Sequence, residues 1–219
     1  EIAILLDCGT MAFDVIAEGR AMGLGIVVLD HHEADTKLPD ANHVINPKRK
    51  DDTSDLNMLA ACGVTFMTCV AINKVLKEKT GEIGPPLKEW LDVVALGTVC
   101  DMVSLTGVNR LFVRHGFRQM AGTKNTGLKA LIDVAKIKGE LTPYHAGFIL
   151  GPRINAGSRV HKADLGARLL TLDDAEEAKN IAWTLHDCNE KRKEIQADME
   201  REALAKVEAL GLDQHPVII

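Results

Sequence analysis

The chain has 219 residues, 46% of them hydrophobic, and carries a formal net charge of −5. This suits one larger domain, or one domain with part of another, and excludes a disordered chain. It also excludes a membrane span, since no apolar run approaches roughly 18 residues, and the acidic balance argues against wholesale wrapping by nucleic acid.

No signal-peptide pattern stands at the N-terminus, so a soluble, cytoplasmic protein is expected. Cys8, Cys62, Cys69, Cys100 and Cys188 include no C-x-x-C pair, which argues against a zinc knuckle or a disulfide framework and for a reducing compartment.

The chain opens without Met on the apolar run Ile2 to Leu6, which predicts a first strand ending at Asp7. Gly9, a helical stretch from about Phe13 to Met22, then Gly23 and Gly25 lead to a second strand, Ile26 to Leu29. A β-α-β order makes parallel neighbours with a right-handed crossover, so both strands end on one edge of the sheet. Ligands of open α/β sheets bind beyond such ends, which makes Asp7 and Asp30 candidates for a single site.

The stretch "VVLDHHEAD" then sets His31 and His32 directly after Asp30. Adjacent side chains of an extended segment point to opposite sides, so at most one of the two histidines is expected to ligate a given ion.

A third strand is expected through Val44 and Ile45, followed by the polar loop "NPKRKDDTSD". Asp55 is expected to cap a helix bearing Leu56, Leu59, Gly63, Met67, Val70 and Leu76, which ends at the break between Thr80 and Pro86. Pro85 and Pro86 start the next helix, from Leu87 toward "GTVCDMVSL". There Asp101 is a single acid in an apolar, small-residue segment, and burial without a partner would be costly, so a partner is implied.

Helices are expected at 108–120, 125–135 and 143–150. Arg110, Arg114 and Arg118 recur every four residues, a stripe that reads as a solvated face or as a phosphate track. "GPRINAGSRV", Gly151 to Val160, reads as a shaped loop. Lys162 to Leu170 resumes helix, and Asp173 to Leu210 is a long charged helix free of Gly and Pro. The closing "PVII" reads as the start of another strand, so the chain is expected to be a segment of a longer protein. The expected division is a domain over 1–172, a connecting helix over 173–211 and the beginning of a further domain at 212–219.

Carboxylates combined with neutral imidazoles suit a divalent ion of intermediate hardness. Mn²⁺ is favoured over Ca²⁺, Mg²⁺ fits where carboxylates dominate, and zinc is less expected without thiolates. Ions in such sites activate water and neutralise phosphate oxygens. A dinucleotide site is disfavoured, because Gly9 alone stands in the turn and no G-x-G-x-x-G exists.

"LLDCGT", "VVLDHHEAD", "GTVCDMVSL" and "GPRINAGSRV", in this order, resemble the DHH phosphoesterase superfamily, most closely its RecJ single-strand-specific exonucleases. The resemblance implies an α/β fold with a parallel sheet, a helical continuation and a long connecting helix. It implies that Asp7 and His31 are metal ligands, that Asp101 completes the shell, that His32 faces the scissile phosphate, and that Asp30 orients the histidines. It further implies that Arg153, Asn155 and Arg159 grip the nucleic acid backbone.

The implied activity is Mn²⁺- or Mg²⁺-dependent hydrolysis of single-stranded DNA, 5′ to 3′, in repair and recombination, with replication or repair proteins as partners. The family's first motif would lie upstream of Glu1. The segment is therefore expected to hold metal less well than the complete protein, which would use two ions. Gly157 and Ser158 stand where the family shows Ala then Gly. The rival readings are a DHH phosphoesterase acting on short oligonucleotides or cyclic dinucleotides, and a non-catalytic DNA-binding scaffold.

Overall fold

The structure, a computed structural model, describes residues 1–212. Residues 213–219, and with them nearly all of the expected further domain at 212–219, lie outside the described residues. The fold class is α/β, with one small parallel sheet and otherwise helices. Two compact units are present, Glu1–Lys124 with Lys138–Gly147, and Asn125–Ile137 with the chain from Phe148 onward. Among the described residues no helix is long and apolar enough to cross a membrane.

In the first unit, β1 (Ile2–Leu6), β2 (Gly25–Leu29) and β3 (His43–Ile45) form a parallel sheet in that order, with α1 (Phe13–Ala21) between the first two strands. The register pairs Leu6 with Leu29 and Leu29 with Ile45. The residues that follow the three strands, Asp7, Asp30 and Asn46, therefore leave the sheet side by side. The Asp7 N–H donates to the Leu29 carbonyl at 3.0 Å and the Asp30 N–H to that of Ile45 at 3.1 Å.

Strand alternation sorts the side chains of β2 between two clusters. Ile26 and Val28 pack with Ile16 of α1 and with Val44, while Leu29 joins Leu59, Val64, Val94 and Phe112, with Val27 against them. Both faces are covered, as parallel strands require, and this explains the unbroken apolar run of β2. Val28 is fully buried, which contributes about 2 kcal/mol. In β1, Ala3 and Leu5 pack toward the Ile16 cluster, whereas Ile2, Ile4 and Leu6 stay 75%, 59% and 52% exposed.

The unit continues through α2 (Ala61–Thr80), a 3₁₀ turn (Leu87–Trp90), α3 (Leu91–Cys100) and α4 (Gly107–Met120). Helix α2 starts later than the sequence suggests. Asp55 does not cap it, because its backbone lies in the left-handed region at φ 56° and the Leu56 N–H turns back to Ser54 Oγ at 3.3 Å. Gly81, at φ 76°, ends the helix in the left-handed conformation that glycine tolerates. Helices α3 and α4 pack closely because Gly116 has no side chain; a Cβ there would stand 2.1 Å from the Leu91 carbonyl oxygen. The buried Asn109 donates to the carbonyls of Met58 at 2.6 Å and Ser104 at 3.0 Å, which pins the loop that follows Asp101.

The second unit holds α5 (Thr126–Val134), α6 (Gly151–Val160), α7 (Leu165–Thr171) and α8 (Ala175–Ala209). A π-helical turn, His145–Leu150, leads directly into α6. "GPRINAGSRV" is thus a helix and not the expected loop. Pro152 sits in its first turn, where an N–H has no partner to lose. Gly157 serves packing, since a Cβ there would meet Leu185 Cδ2 of α8 at 2.9 Å and the Lys162 carbonyl oxygen at 3.1 Å.

Asp174 caps α8 by accepting the Glu177 N–H at 2.8 Å. Ala178, Ile181, Ala182, Leu185 and Cys188 are buried, while Ile195 and Met199, expected to continue the stripe, are exposed. Within this unit α8 packs along α5, α6 and α7.

Candidate metal centre

Two strand ends and one helix end build the centre. Asp7 follows β1 and takes φ 61°. Asp101 follows α3, and the next residue, Met102, takes φ 60°. Side chains other than glycine pay roughly 1–2 kcal/mol in this region, so the backbone is strained at or next to each of the two acids.

His31 follows Asp30 at the end of β2, and its ring is buried between those acids. Its Nε2 lies 3.2 Å from Asp7 Oδ1 and 3.4 Å from Asp101 Oδ2. The other ring nitrogen, Nδ1, is buried without a hydrogen-bond partner, so only the Nε2 side holds the imidazole by polar contact. One atom each from Asp7, His31 and His32 lies within 4.8 Å of the other two. Burial pushes the Asp101 carboxyl above its ordinary pKa, and the negative charge of Asp7 adds to this against the pull of His31, His32 and Lys48.

This donor set fits a divalent cation. A single Nε2 can donate one hydrogen, and two carboxylate oxygens converge on it. A cation among the three side chains would offset the burial and the Asp7 charge that raise Asp101.

Asp30 is buried and saturated with donors. The Thr10 N–H reaches Oδ2 at 3.0 Å, the His31 N–H reaches Oδ1 at 2.8 Å, and His32 Nδ1 lies 2.7 Å from Oδ1. Burial acts to raise its pKa, but the Thr10 and His32 hydrogen bonds outweigh it and hold the carboxyl well below the usual range. The same bond to Asp30 raises the pKa of His32, with the charges of Asp30, Asp7 and Asp101 adding to it. His32 itself is exposed. The adjacent histidines thus part as extended backbone dictates, one ring buried between Asp7 and Asp101 and the other open to solvent.

Three residues that the sequence reading did not single out, Thr10, Asn46 and Lys48, belong here as well. Asn46, at the end of β3, is buried and donates to Thr10 Oγ1 at 2.9 Å and to the His32 carbonyl at 2.9 Å. Lys48, whose N–H bonds Asn46 Oδ1 at 2.8 Å, lies near enough to act on Asp101 and pairs with Glu33 at 3.1 Å. For Asn46 a signal exists in the sequence, since strand-end logic applied to β3 selects it as it selects Asp7 and Asp30.

The remaining candidates lie on α6 in the second unit. Arg153 turns inward and is 9% exposed; its Nη1 donates to the Ile149 carbonyl at 2.7 Å and its Nε is buried without a partner. Burial lowers its pKa, against the opposing charge of Glu190. Asn155 and Arg159, four residues apart, share an exposed row of the same helix.

The model of the DHH family, N-terminal domain, matches residues 1–98. The single-stranded-DNA-specific exonuclease RecJ of Salmonella typhimurium is 36% identical over 217 residues, which cover 96% of this chain and 38% of that protein. RecJ of Bacillus subtilis is 32% identical over 219 residues, 100% of this chain and 27% of that protein. The chain thus spans well under half the length of these relatives.

Among solved structures, exonuclease RecJ bound to manganese superposes with a TM-score of 0.82 at 29% identity, covering 94% of this chain and 50% of that one. RecJ of Thermus thermophilus in complex with Mn²⁺ gives 0.80 at 31% identity, covering 93% and 30%. Residues 1–98, with the DHH triplet placed at a strand end among converging acids, match the DHH family, N-terminal domain, and over nearly its whole length the chain is similar to RecJ exonucleases.

Proposed function

We propose that the protein is a metal-dependent exonuclease that hydrolyses phosphodiester bonds of single-stranded DNA, acting in repair and recombination. Asp7, His31 and Asp101 hold the ion in this reading. The observation that carries it is one buried imidazole nitrogen with carboxylate oxygens at 3.2 and 3.4 Å. The substrate is supported by the relatives, which are single-stranded-DNA-specific exonucleases. The cofactor is supported by solved RecJ structures in complex with Mn²⁺ and with Mg²⁺. Mn²⁺ is preferred because neutral imidazole joins the carboxylates.

When bound, a divalent ion supplies an acidic water and neutralises phosphate oxygens. The chain's own groups do the rest. Asp30 accepts the Nδ1–H of His32 and favours the protonated ring, whose Nε2–H then donates to the scissile phosphate. Asn46 holds the His32 carbonyl and so fixes the entry to the site. Arg153, Asn155 and Arg159 bind the DNA backbone. A second ion in the full-length protein, 5′ to 3′ polarity, a cytoplasmic location and partners among replication or repair proteins belong to the same reading.

The test is cleavage by the full-length protein with Mn²⁺ on long single strands, duplexes and dinucleotides. Long single strands should be degraded from one end, and the His31→Ala variant should be inactive while folded. Preference for dinucleotides, or undiminished cleavage by that variant, would overturn the proposal.

A further inference from the structure

Helix α4 carries a surface that the metal centre does not use. Its sequence, GVNRLFVRHGFRQM, contains no acid. Arg110, Arg114 and Arg118 are exposed, and no salt bridge reaches any of them among the described residues. Successive arginines stand four residues and about 6 Å apart along the axis, so they form one row. In a chain of net charge −5, three unpaired guanidinium groups on one helix face are a local reversal of sign.

Beside this row runs an apolar groove of about 600 Å³, lined by α2, the 3₁₀ turn, α3 and α4. From α2 come Phe66 and Val70, and from α4 come Val108, Leu111, Phe112 and His115. Lys88 and His115 are its titratable lining groups, and no acid lines it. Val70 is 40% exposed and Leu111 53%, so apolar side chains stand open to water on both walls. The groove and the row are one surface. Arg114 follows Leu111 by three residues and Arg118 follows His115 by three, a spacing that makes them neighbours on the helix.

An apolar channel with cations along one side selects its occupant by chemistry. A nucleic acid strand would use the arginines but leave the channel wet, since no Phe, Tyr or Trp ring stands fully open in its lining for a base to stack on. A second copy of this acidic chain would offer net negative charge but no defined match. A helix that is apolar on one face and acidic on the adjoining one satisfies both halves at once.

We propose that the groove beside Arg110, Arg114 and Arg118 docks an acidic, amphipathic helical peptide of a partner protein. The proposal stands apart from the nuclease reading, because His31→Ala would leave peptide binding intact.

The test uses the full-length protein and a fluorescent helical peptide with leucines on one face and glutamates on the next. A control peptide carries lysines in place of the glutamates. The acidic peptide should bind, more weakly as salt rises, and the lysine peptide should not. The triple variant Arg110→Ala, Arg114→Ala, Arg118→Ala and the variant Leu111→Glu should each weaken binding by about tenfold or more while leaving single-strand cleavage unchanged.

Failure of the acidic peptide to bind the unaltered protein, or equal binding of both peptides, would overturn the proposal. So would a triple variant that loses DNA affinity with a shallower salt dependence, which would make the row a DNA track. Conversion of a dimer to a monomer by Leu111→Glu would assign the groove to a second copy and equally overturn it. Both sites are exposed and packed on little, so the variants should fold, and unchanged thermal unfolding confirms it.

Discussion

The sheet edge and helix α6 present polar side chains by opposite means. At the edge, β1, β2 and β3 end in register, and the next residue of each strand, Asp7, Asp30 and Asn46, joins a single row fixed by main-chain hydrogen bonds. In α6 the three candidate residues do not share one face. Arg153 points into the unit while Asn155 and Arg159 point out of it, because a helix turns about 100° per residue. A parallel sheet therefore gathers residues from distant parts of a chain into one place, whereas a helix distributes neighbours around its axis.

The largest effect should come from His31, the residue that follows Asp30 of this row. Replacing His31 by Ala removes a buried side chain that both Asp7 and Asp101 approach. Nuclease activity in the full-length protein should fall by about 10³-fold or more, beyond what loss of a supporting partner costs. Isothermal titration should show Mn²⁺ affinity falling with it. Retention of affinity would mean that Asp7, His31 and Asp101 do not act as one site.

A smaller loss, about 10–100-fold, is expected for Asp30→Asn, which keeps the shape but removes the charge that supports His32. Asp30 raises the pKa of His32, so His32 keeps its second proton to a higher pH than an ordinary histidine. In the variant its NMR titration should move down toward the ordinary value. Asp30 is itself held low. It therefore adds stability that is present above the unfolded carboxylate value and is lost as pH falls through the lower folded value. The variant should lack that part of the acid-induced loss.

These contrasts also explain what the amino-acid order reveals. Strand alternation and βαβ chirality are local rules with a global result, so the order of residues alone suffices to bring Asp7, Asp30 and His31 to one edge. Asp101 is conspicuous as an acid in apolar surroundings, although its approach to His31 depends on α3 and on the loop pinned by Asn109, which no local pattern encodes. Asn46 is easily passed over, because the polar loop after β3 draws attention to its charges and away from its register.

In α6 the glycines suggest a loop. Glycine serves backbone freedom and close packing alike, and which of the two applies at Gly157 is decided by Leu185, twenty-eight residues away. Gly157→Ala separates these roles. As a packing residue it should cost roughly 1–3 kcal/mol of unfolding free energy, since the methyl group would meet Leu185 and the Lys162 carbonyl. A flexible loop would tolerate the change or gain from it. Chemical denaturation measures the difference.

The smallest effect on stability belongs to Arg159, which is exposed and makes no salt bridge among the described residues. Arg159→Ala should leave unfolding free energy within about 0.5 kcal/mol. If α6 presents this row to a DNA backbone, affinity for single strands should fall. The slope of log affinity against log salt should become shallower by about 0.7, the value for one phosphate fewer neutralised on a single strand. Sequence preference should not change, because a phosphate contact positions the strand without reading it. Arg153→Met supplies the complement: its guanidinium is buried with an unbonded Nε, so the change tests an inward-facing anion contact at the same helix. An unaltered slope in both variants would detach α6 from the nucleic acid and leave recognition of the strand to the sheet edge.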